Sequence, residues 1–266
     1  MDLDMVLNEL SLQTPAADIP TARQRMSDLI DTVRQATASG VKRVLRTTYP
    51  DLNTIALAPG YPVARWRNDG EVDLYERRFF KTLTFKAPVW ADVAEEIKNN
   101  FDLSDVCHQG DGAIGLGFAW VSDTLAVSWN SDARWDCSRL DLEVKRLDNN
   151  DNLIDERVEI VHASRRQHLQ EHTEWIKTRL RTGVQDGVEL WKRKNELFPT
   201  LIFCDSVAEQ LQNLKTGNPM LRQVVKRLDE LDNYCKNWTT GAFDLDILPS
   251  KASPESDIKS GSIVGV

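Results

Sequence analysis

Residues 140–145, Leu-Asp-Leu-Glu-Val-Lys, decide the predicted fold, because apolar and charged side chains alternate there without a break. Successive side chains of a strand point to opposite faces, so this pattern predicts a half-buried strand. The polar residues 148–152 follow as a turn, and Val158 and Ile160 then resume the alternation. An antiparallel hairpin is therefore predicted here.

The segment before this hairpin predicts two more strands. Apolar runs at 118–121 and 125–129 flank the polar residues 122–124, a pattern that is typical of a hairpin turn. Together with the first hairpin, these runs predict a central antiparallel sheet over about residues 115–162.

Helical spacing replaces the alternation on both sides of the predicted sheet. Apolar residues recur every three or four positions behind the capping box of Thr21 and Gln24, which predicts a helix over 21–39. A second helix is predicted over 219–237, with Pro219 in its first turn. Helices from both ends of the chain that flank a sheet indicate an α+β fold.

The length of 266 residues fits one large domain or two small ones. No linker rich in proline, glycine and serine interrupts residues 1–248, so a single α+β domain is predicted, with a boundary near residue 105 or 163 as the alternative. Residues 249–266 offer few apolar side chains to bury and are predicted to be a flexible tail.

The net charge of −8 is concentrated in the middle of the chain, where residues 101–160 hold 13 acidic and five basic side chains. This acidity repels a phosphate backbone, so another protein is predicted as a partner in preference to duplex DNA. No apolar run approaches the roughly 20 residues that a membrane helix needs. Because the acidic N-terminus also lacks the basic start of a signal peptide, we expect a cytoplasmic protein without a membrane partner.

Several stretches resemble a poorly characterised bacterial family that is associated with mobile genes and antiphage defence. They are GLGFAWVSDTLAVSW at 115–129, RWD at 134–136, HASRRQH at 162–168, LFPTLIFCDSVAEQL at 197–211 and LPSKASPES at 248–256. Related chains continue past the last of these into a module similar to a ribonuclease toxin, where this chain has DIKSGSIVGV instead. The resemblance implies a component of a defence system and assigns no catalytic residue.

The sharpest candidate site combines Asp123 with Glu143 and Lys145. Metal-dependent nucleases of the PD-(D/E)xK type hold Mg²⁺ between two acids on neighbouring strands, while a nearby lysine positions the attacking water. Asp111 and Asp136 are the alternatives for the first acid. A solvated strand face has the same acid-x-lysine pattern and is the simpler interpretation.

Three of the four histidines, His162, His168 and His172, lie close together in the sequence. His168 and His172 are four residues apart, so a helix would place them on one face, where both could bind a metal ion. Their order differs from the HExxH of zinc proteases. Surface histidines at helical spacing are the simpler interpretation.

Ser164, Arg165 and Arg166 stand at a predicted helix start. Free amide groups at a helix N-terminus and the charge of two arginines favour a bound phosphate. The simpler interpretation makes Ser164 an N-cap followed by two solvated arginines.

Glycines cluster at 112, 115 and 117, as they do in phosphate-binding loops. These glycines are in the wrong order for a dinucleotide-binding loop. Since no predicted strand-to-helix turn contains them, no phosphate-binding role is assigned to them.

Aromatic residues beside basic ones favour stacking on nucleic-acid bases, and Trp66 between Arg65 and Arg67 is one such place. Core or interface packing is the simpler interpretation for most of the tryptophans. The weak catalytic motifs and the resemblance together predict a binding or regulatory component of a bacterial multi-protein system. The alternatives are a Mg²⁺-dependent nuclease and an RNA- or nucleotide-binding module. The sequence does not decide whether the chain is an enzyme, and it points to Mg²⁺ only through the nuclease alternative.

Overall fold

The computed structural model describes residues 3–147 and 152–239, with side chains described up to residue 237. Contacts divide the chain into two compact units, one covering residues 2–176 and one beginning at residue 177. Each unit is described by itself, and the expectation of a single domain stays a prediction. Residues 148–151 of the predicted turn lie outside the described residues. The whole of the predicted tail at 249–266 also lies outside them.

The first unit is built on ten short and long strands. In chain order they are β1 (Met5–Leu7), β2 (Val44–Arg46), β3 (Ala56–Ala58), β4 (Tyr61–Pro62), β5 (Thr84–Lys86), β6 (Ser104–His108), β7 (Asp111–Gly112), β8 (Leu125–Val127), β9 (Arg139–Leu147) and β10 (Leu153–Ala163). Eight of the described strands form one sheet in the order β5-β2-β1-β8-β10-β9-β6-β7, while β3 and β4 pair separately.

Ten α-helices accompany these strands in the described residues. They are α1 (Ile19–Ala38), α2 (Val63–Trp66), α3 (Leu74–Thr82), α4 (Glu95–Asp102), α5 (Ile114–Ser122), α6 (His168–Glu171), α7 (Thr173–Thr182), α8 (Gly187–Leu197), α9 (Asp205–Gln212) and α10 (Pro219–Thr239). The predicted helices at 21–39 and 219–237 are confirmed as α1 and α10. The N-cap of α1 is Asp18, whose side chain accepts from the Thr21 amide at 2.8 Å, so the predicted capping box is wrong in its residues.

The sheet is mixed and mostly parallel, so the prediction of a central antiparallel sheet is wrong for the sheet as a whole. The strands β5, β2, β1, β8 and β10 pair in parallel, which makes this an α/β protein. The antiparallel part is β10, β9, β6 and β7. There the predicted strand at 140–145 is confirmed, and Glu143 lies opposite Arg157.

The predicted strand at 118–121 is instead part of the helix α5. From Ile114 to Ser122 the sequence is apolar on every side, so it carries neither a period of two nor one of 3.6 residues. Asp123 then ends the helix in the left-handed conformation, with φ of 47°, where the sequence predicted a hairpin turn. The strand β8 follows and runs parallel to β1.

The helix α5 packs on the apolar face of the antiparallel strands. Leu116, Phe118 and Ala119 belong to one buried cluster with Leu142 and Val144. Because side chains alternate along β9, the charged residues between these apolar ones point away from α5. This arrangement separates the two faces of the sheet chemically.

The second unit consists of helices packed around their own apolar core. Leu190, Phe198 and Leu228 are among its buried side chains. The buried Arg181 guanidinium donates to the Leu197 carbonyl at 3.1 and 3.0 Å and to Asp232 at 3.1 Å. These contacts compensate the buried positive charge of Arg181. No helix in the described part of the chain is both long and apolar enough to cross a membrane.

Candidate functional site

The parallel half of the sheet reverses its direction of winding at β1. This strand has β2 on one side, reached through α1, and β8 on the other, reached much later in the chain. In open α/β sheets, ligands bind outside the carboxyl ends of the strands near such a reversal. The carboxyl edge of the parallel strands is therefore the first place to examine for a site.

A buried polar network fills the edge between β1, β8 and β10. The Asn8 amide donates to the Ser128 hydroxyl at 3.0 Å, and that hydroxyl lies 2.7 Å from His162 Nε2. His162 Nδ1 is 2.8 Å from the Cys137 carbonyl, so Nδ1 carries the proton and Nε2 accepts from Ser128. Burial lowers the pKa of His162 to about 3, which keeps the ring neutral.

This serine–histidine pair has the distances of a nucleophile and its base. However, Asn8, Ser128 and His162 all have 0% of their surface exposed, so no substrate reaches them in this conformation. The network satisfies buried polar groups and fixes the ends of three strands to one another.

Glu9 follows β1 and contacts the first turn of α5. Its Oε2 accepts from the Gly115 amide at 2.9 Å, and burial raises the pKa of the carboxyl. A Cβ atom at residue 115 would lie 2.8 Å from the Leu7 carbonyl oxygen and would also collide with the Glu9 carboxylate. Gly115 is thus required for the close approach of α5 to β1.

The glycine cluster does lie in a strand-to-helix connection, between β7 and α5, contrary to the expectation from the sequence. The sequence missed it because β7 is only two residues long and α5 was predicted as a strand. The amide of Gly115 already binds an internal carboxylate, so the cluster serves packing.

A cavity of about 370 Å³ lies along the edge strand β5 and reaches the carboxyl ends of β2 and β5 at Thr47 and Ala87. Its walls carry hydroxyl, carboxylate and amide groups, two cations and three aromatic rings. The lining residues are Thr47, Tyr49, Pro50, Asp51, Leu52, Asn53, Arg67, Phe80, Lys81, Leu83, Phe85 and Ala87. Concave sites that combine apolar walls with a few polar groups are typical of small-molecule sites.

The two cations of this cavity have no acidic partner. Arg67 Nη1 donates to the Asn53 side-chain oxygen at 2.6 Å, a neutral acceptor. Neither Arg67 nor Lys81 has a carboxylate at ion-pair distance among the residues the structure describes. Their charge is therefore available to an anionic ligand.

The aromatic wall is held by ring packing behind it. Phe80 lies 5.4 Å from Trp66 and 5.2 Å from Phe85, measured between ring centroids. Trp66 itself is fully buried, which confirms core packing as its role and leaves its ring unavailable to a base. Its neighbour Arg67 and the rings of Tyr49 and Phe85 reach the cavity instead.

The nuclease residues do not come together. Asp123 ends α5, which packs on the apolar face of β9, whereas Glu143 and Lys145 point to the other face. Lys145 is registered between Asp105 on β6 and Asp155 on β10. Opposite charges across strands explain this face without a metal ion.

The two alternative acids each have a basic partner. Asp111 contacts Arg134 at 3.2 Å, and Asp136 contacts Arg165 at 3.0 Å. Within residues 3–147 and 152–239, no group of three histidine, cysteine, aspartate or glutamate side chains is placed to hold a metal ion. The described residues at this place therefore do not fit Mg²⁺.

The ring nitrogens of His168 and the Nε2 of His172 make polar contacts within the chain. His168 Nδ1 accepts from the Ser164 amide at 3.3 Å, and its Nε2 lies 3.5 Å from Asp136. His172 Nε2 lies 2.6 Å from the Ser138 carbonyl, which orients the buried ring. No shared metal-binding face results.

The structure places the predicted phosphate residues around a charge-balanced cavity. Arg165 and Arg166 line a space of about 250 Å³ together with Asp28, Asp31 and Gln167. Ser164 is buried and precedes the helix α6 by four residues, so it is not the predicted N-cap. Two acids facing two arginines do not favour a phosphate.

Comparison of the chain with protein-family models, curated proteins and solved structures finds no match. A function therefore has to be argued from the geometry of the candidate site. Of the two cavities described above, the one at the ends of β2 and β5 has two cations, Arg67 and Lys81, against one acid, Asp51, and neither cation has a carboxylate at ion-pair distance in the described residues.

Proposed function

We propose that this protein is a nucleotide-binding module whose site is the cavity at the carboxyl ends of β2 and β5. The observation that carries the proposal is the pair Arg67 and Lys81, which face the cavity without acidic partners in the described residues. A ligand held there has an anionic group.

The aromatic wall supports the other half of this proposal. Tyr49 and Phe85 line the cavity with aromatic rings, and base–aromatic stacking contributes about 1–3 kcal/mol per base. A flat ring joined to a phosphate is a nucleotide. The cavity reaches the carboxyl edge of the parallel strands at β2 and β5, next to β1 where the winding reverses, and that edge is where open α/β sheets bind ligands.

Calorimetric titration with AMP, ATP, adenosine and inorganic phosphate tests the proposal. We expect AMP or ATP to bind more tightly than adenosine or phosphate alone, because only a nucleotide engages both the cations and the rings. The double variant Arg67→Ala/Lys81→Ala should weaken that binding by about 10-fold or more, since charge-assisted hydrogen bonds contribute about 1.5–3 kcal/mol.

The matched control is Arg65→Ala/Arg78→Ala. It removes the same charge from nearby positions, because Arg65 lies in α2, which Arg67 follows directly, and Arg78 lies in α3 with Lys81, but neither residue lines the cavity. An equal loss of nucleotide affinity in the two double variants would mean that the overall charge of the protein, and not the cavity, determines binding. Failure of all four probes to bind would overturn the proposal.

We also propose a wider role, that of a binding or regulatory component of a bacterial multi-protein system. In this role, binding of the nucleotide would change how the protein interacts with its partner. The resemblance to a defence-associated family supports it. A partner protein is proposed in preference to duplex DNA because of the acidic residues 101–160. Co-purification of a neighbouring gene product that depends on Arg67 and Lys81 tests this role.

A further inference from the structure

One wall of the cavity is a fixed chain of hydrogen bonds that ends in an acid. Asp51 Oδ1 accepts from the Asn53 amide nitrogens, at 2.9 Å from the main chain and 2.8 Å from the side chain. The Asn53 side-chain oxygen then accepts from Arg67 at 2.6 Å. These hydrogen bonds hold the Asp51 carboxylate, an acceptor, and the Arg67 guanidinium, a cation, at fixed positions on the same wall of the cavity.

Asp51 Oδ2 is the open end of this chain. Within the described residues it has neither a hydrogen bond nor an ion pair, and Asp51 lines the cavity. A carboxylate oxygen only accepts hydrogen bonds, so the ligand group beside it is a donor. The ligand thus presents an anion toward the cations and hydroxyl or amino hydrogens toward Asp51.

We infer that the cavity selects a ribonucleoside monophosphate and that Asp51 accepts a hydrogen bond from its ribose hydroxyls. This inference rests on the proposed function and adds the sugar to it. A vicinal diol is a strong partner for a carboxylate, and sites built to bind a hydroxyl discriminate against ligands that lack it. The cavity of about 370 Å³ is at the lower end of the usual range of roughly 300–1,000 Å³, which favours one nucleotide over a dinucleotide.

Titration of the full chain with AMP, 2′-deoxy-AMP and 3′-deoxy-AMP tests this inference. We expect at least one deoxy analogue to bind about 10-fold more weakly than AMP, as for the loss of one charge-assisted hydrogen bond. In Asp51→Asn, the amide oxygen still accepts from the Asn53 main chain, but an amino group replaces the accepting Oδ2. This variant should lose affinity for AMP and retain its affinity for the sensitive deoxy analogue.

The control is Asp73→Asn, which caps α3 in the way that Asp51 caps its own turn but does not line the cavity. It should bind AMP as the unmodified protein does. Equal affinity for AMP and both deoxy analogues, or an unchanged affinity in Asp51→Asn, would overturn the inference while leaving nucleotide binding intact. Failure of all three nucleotides to bind would instead reject the proposed function.

Discussion

The two halves of the sheet differ in how they neutralise charge. On the antiparallel half, Lys145 lies between Asp105 and Asp155, so neighbouring strands balance one another. At the carboxyl edge of the parallel half, Arg67 and Lys81 line a cavity without an acidic partner in the described residues. The comparison teaches that an acid-x-lysine pattern is explained by its strand neighbours, whereas unneutralised charge in a cavity indicates a ligand.

The largest effect is expected where the antiparallel half is packed. Leu142→Ala should lower the free energy of unfolding by about 2–5 kcal/mol, because it opens a cavity beneath α5. The neighbouring Glu143→Ala should change it by no more than about 0.5 kcal/mol, because its side chain is exposed on the charged face. Urea denaturation of both variants measures the difference. Similar losses for the two substitutions would contradict the assignment of faces.

A smaller effect is expected at the edge between β1 and α5. Gly115→Ala should destabilise the protein by about 1–3 kcal/mol, because the new methyl group meets the Leu7 carbonyl and the Glu9 carboxylate. Gly112→Ala is the matched control, since nothing lies within 4 Å of its added Cβ. Thermal melts of the pair would refute the close approach if Gly115→Ala proved as stable as the control.

The smallest effect concerns the pH dependence of stability at Glu9. Burial raises the pKa of the Glu9 carboxyl in the folded protein above its ordinary value of 4.5. The contribution of the protonated carboxyl to the free energy of unfolding is therefore fully present below pH 4.5. It is lost as the pH rises through the folded pKa. Glu9→Gln removes this titration and keeps an acceptor for Gly115. The advantage of Glu9→Gln over the unmodified protein should therefore grow from pH 4 to pH 7.

The exposed Glu95→Gln is the control for that series, because its side chain lies at the surface of α4. Its stability relative to the unmodified protein, measured at the same pH values, gives the effect of removing an exposed carboxylate. Urea midpoints measured at each pH would contradict the account if Glu9→Gln behaved in the same way.

The sequence predicted the antiparallel half better than the parallel half for a physical reason. The strands β9 and β10 are long and half-exposed, so they must alternate apolar and charged residues. The strands β1 and β8 are three residues long and buried on both faces, so Met5, Val6 and Leu7 leave no alternation to detect. Nothing local in them specifies parallel pairing.

The candidate site was predicted only in part. In the sequence, Arg67 stands out only as a basic neighbour of Trp66. In the structure the tryptophan is buried, and of the two only the arginine lines the cavity. Asp51 and Lys81 were not predicted, because they meet Arg67 only after two strands and two helices are assembled. A turn that follows a short buried strand is the pattern that could have indicated Asp51, whereas Lys81 lies within α3 and carries no such signal.

The central claim is that a nucleotide binds at the edge of the parallel half and not on the charged face of the antiparallel half. Photolabelling with 8-azido-AMP, followed by mass spectrometry of proteolytic peptides, tests it most directly. The account predicts labelled peptides from residues 47–53 or 80–87, with labelling suppressed by excess AMP. Labelling confined to residues 104–108, 139–147 or 153–163 would contradict it.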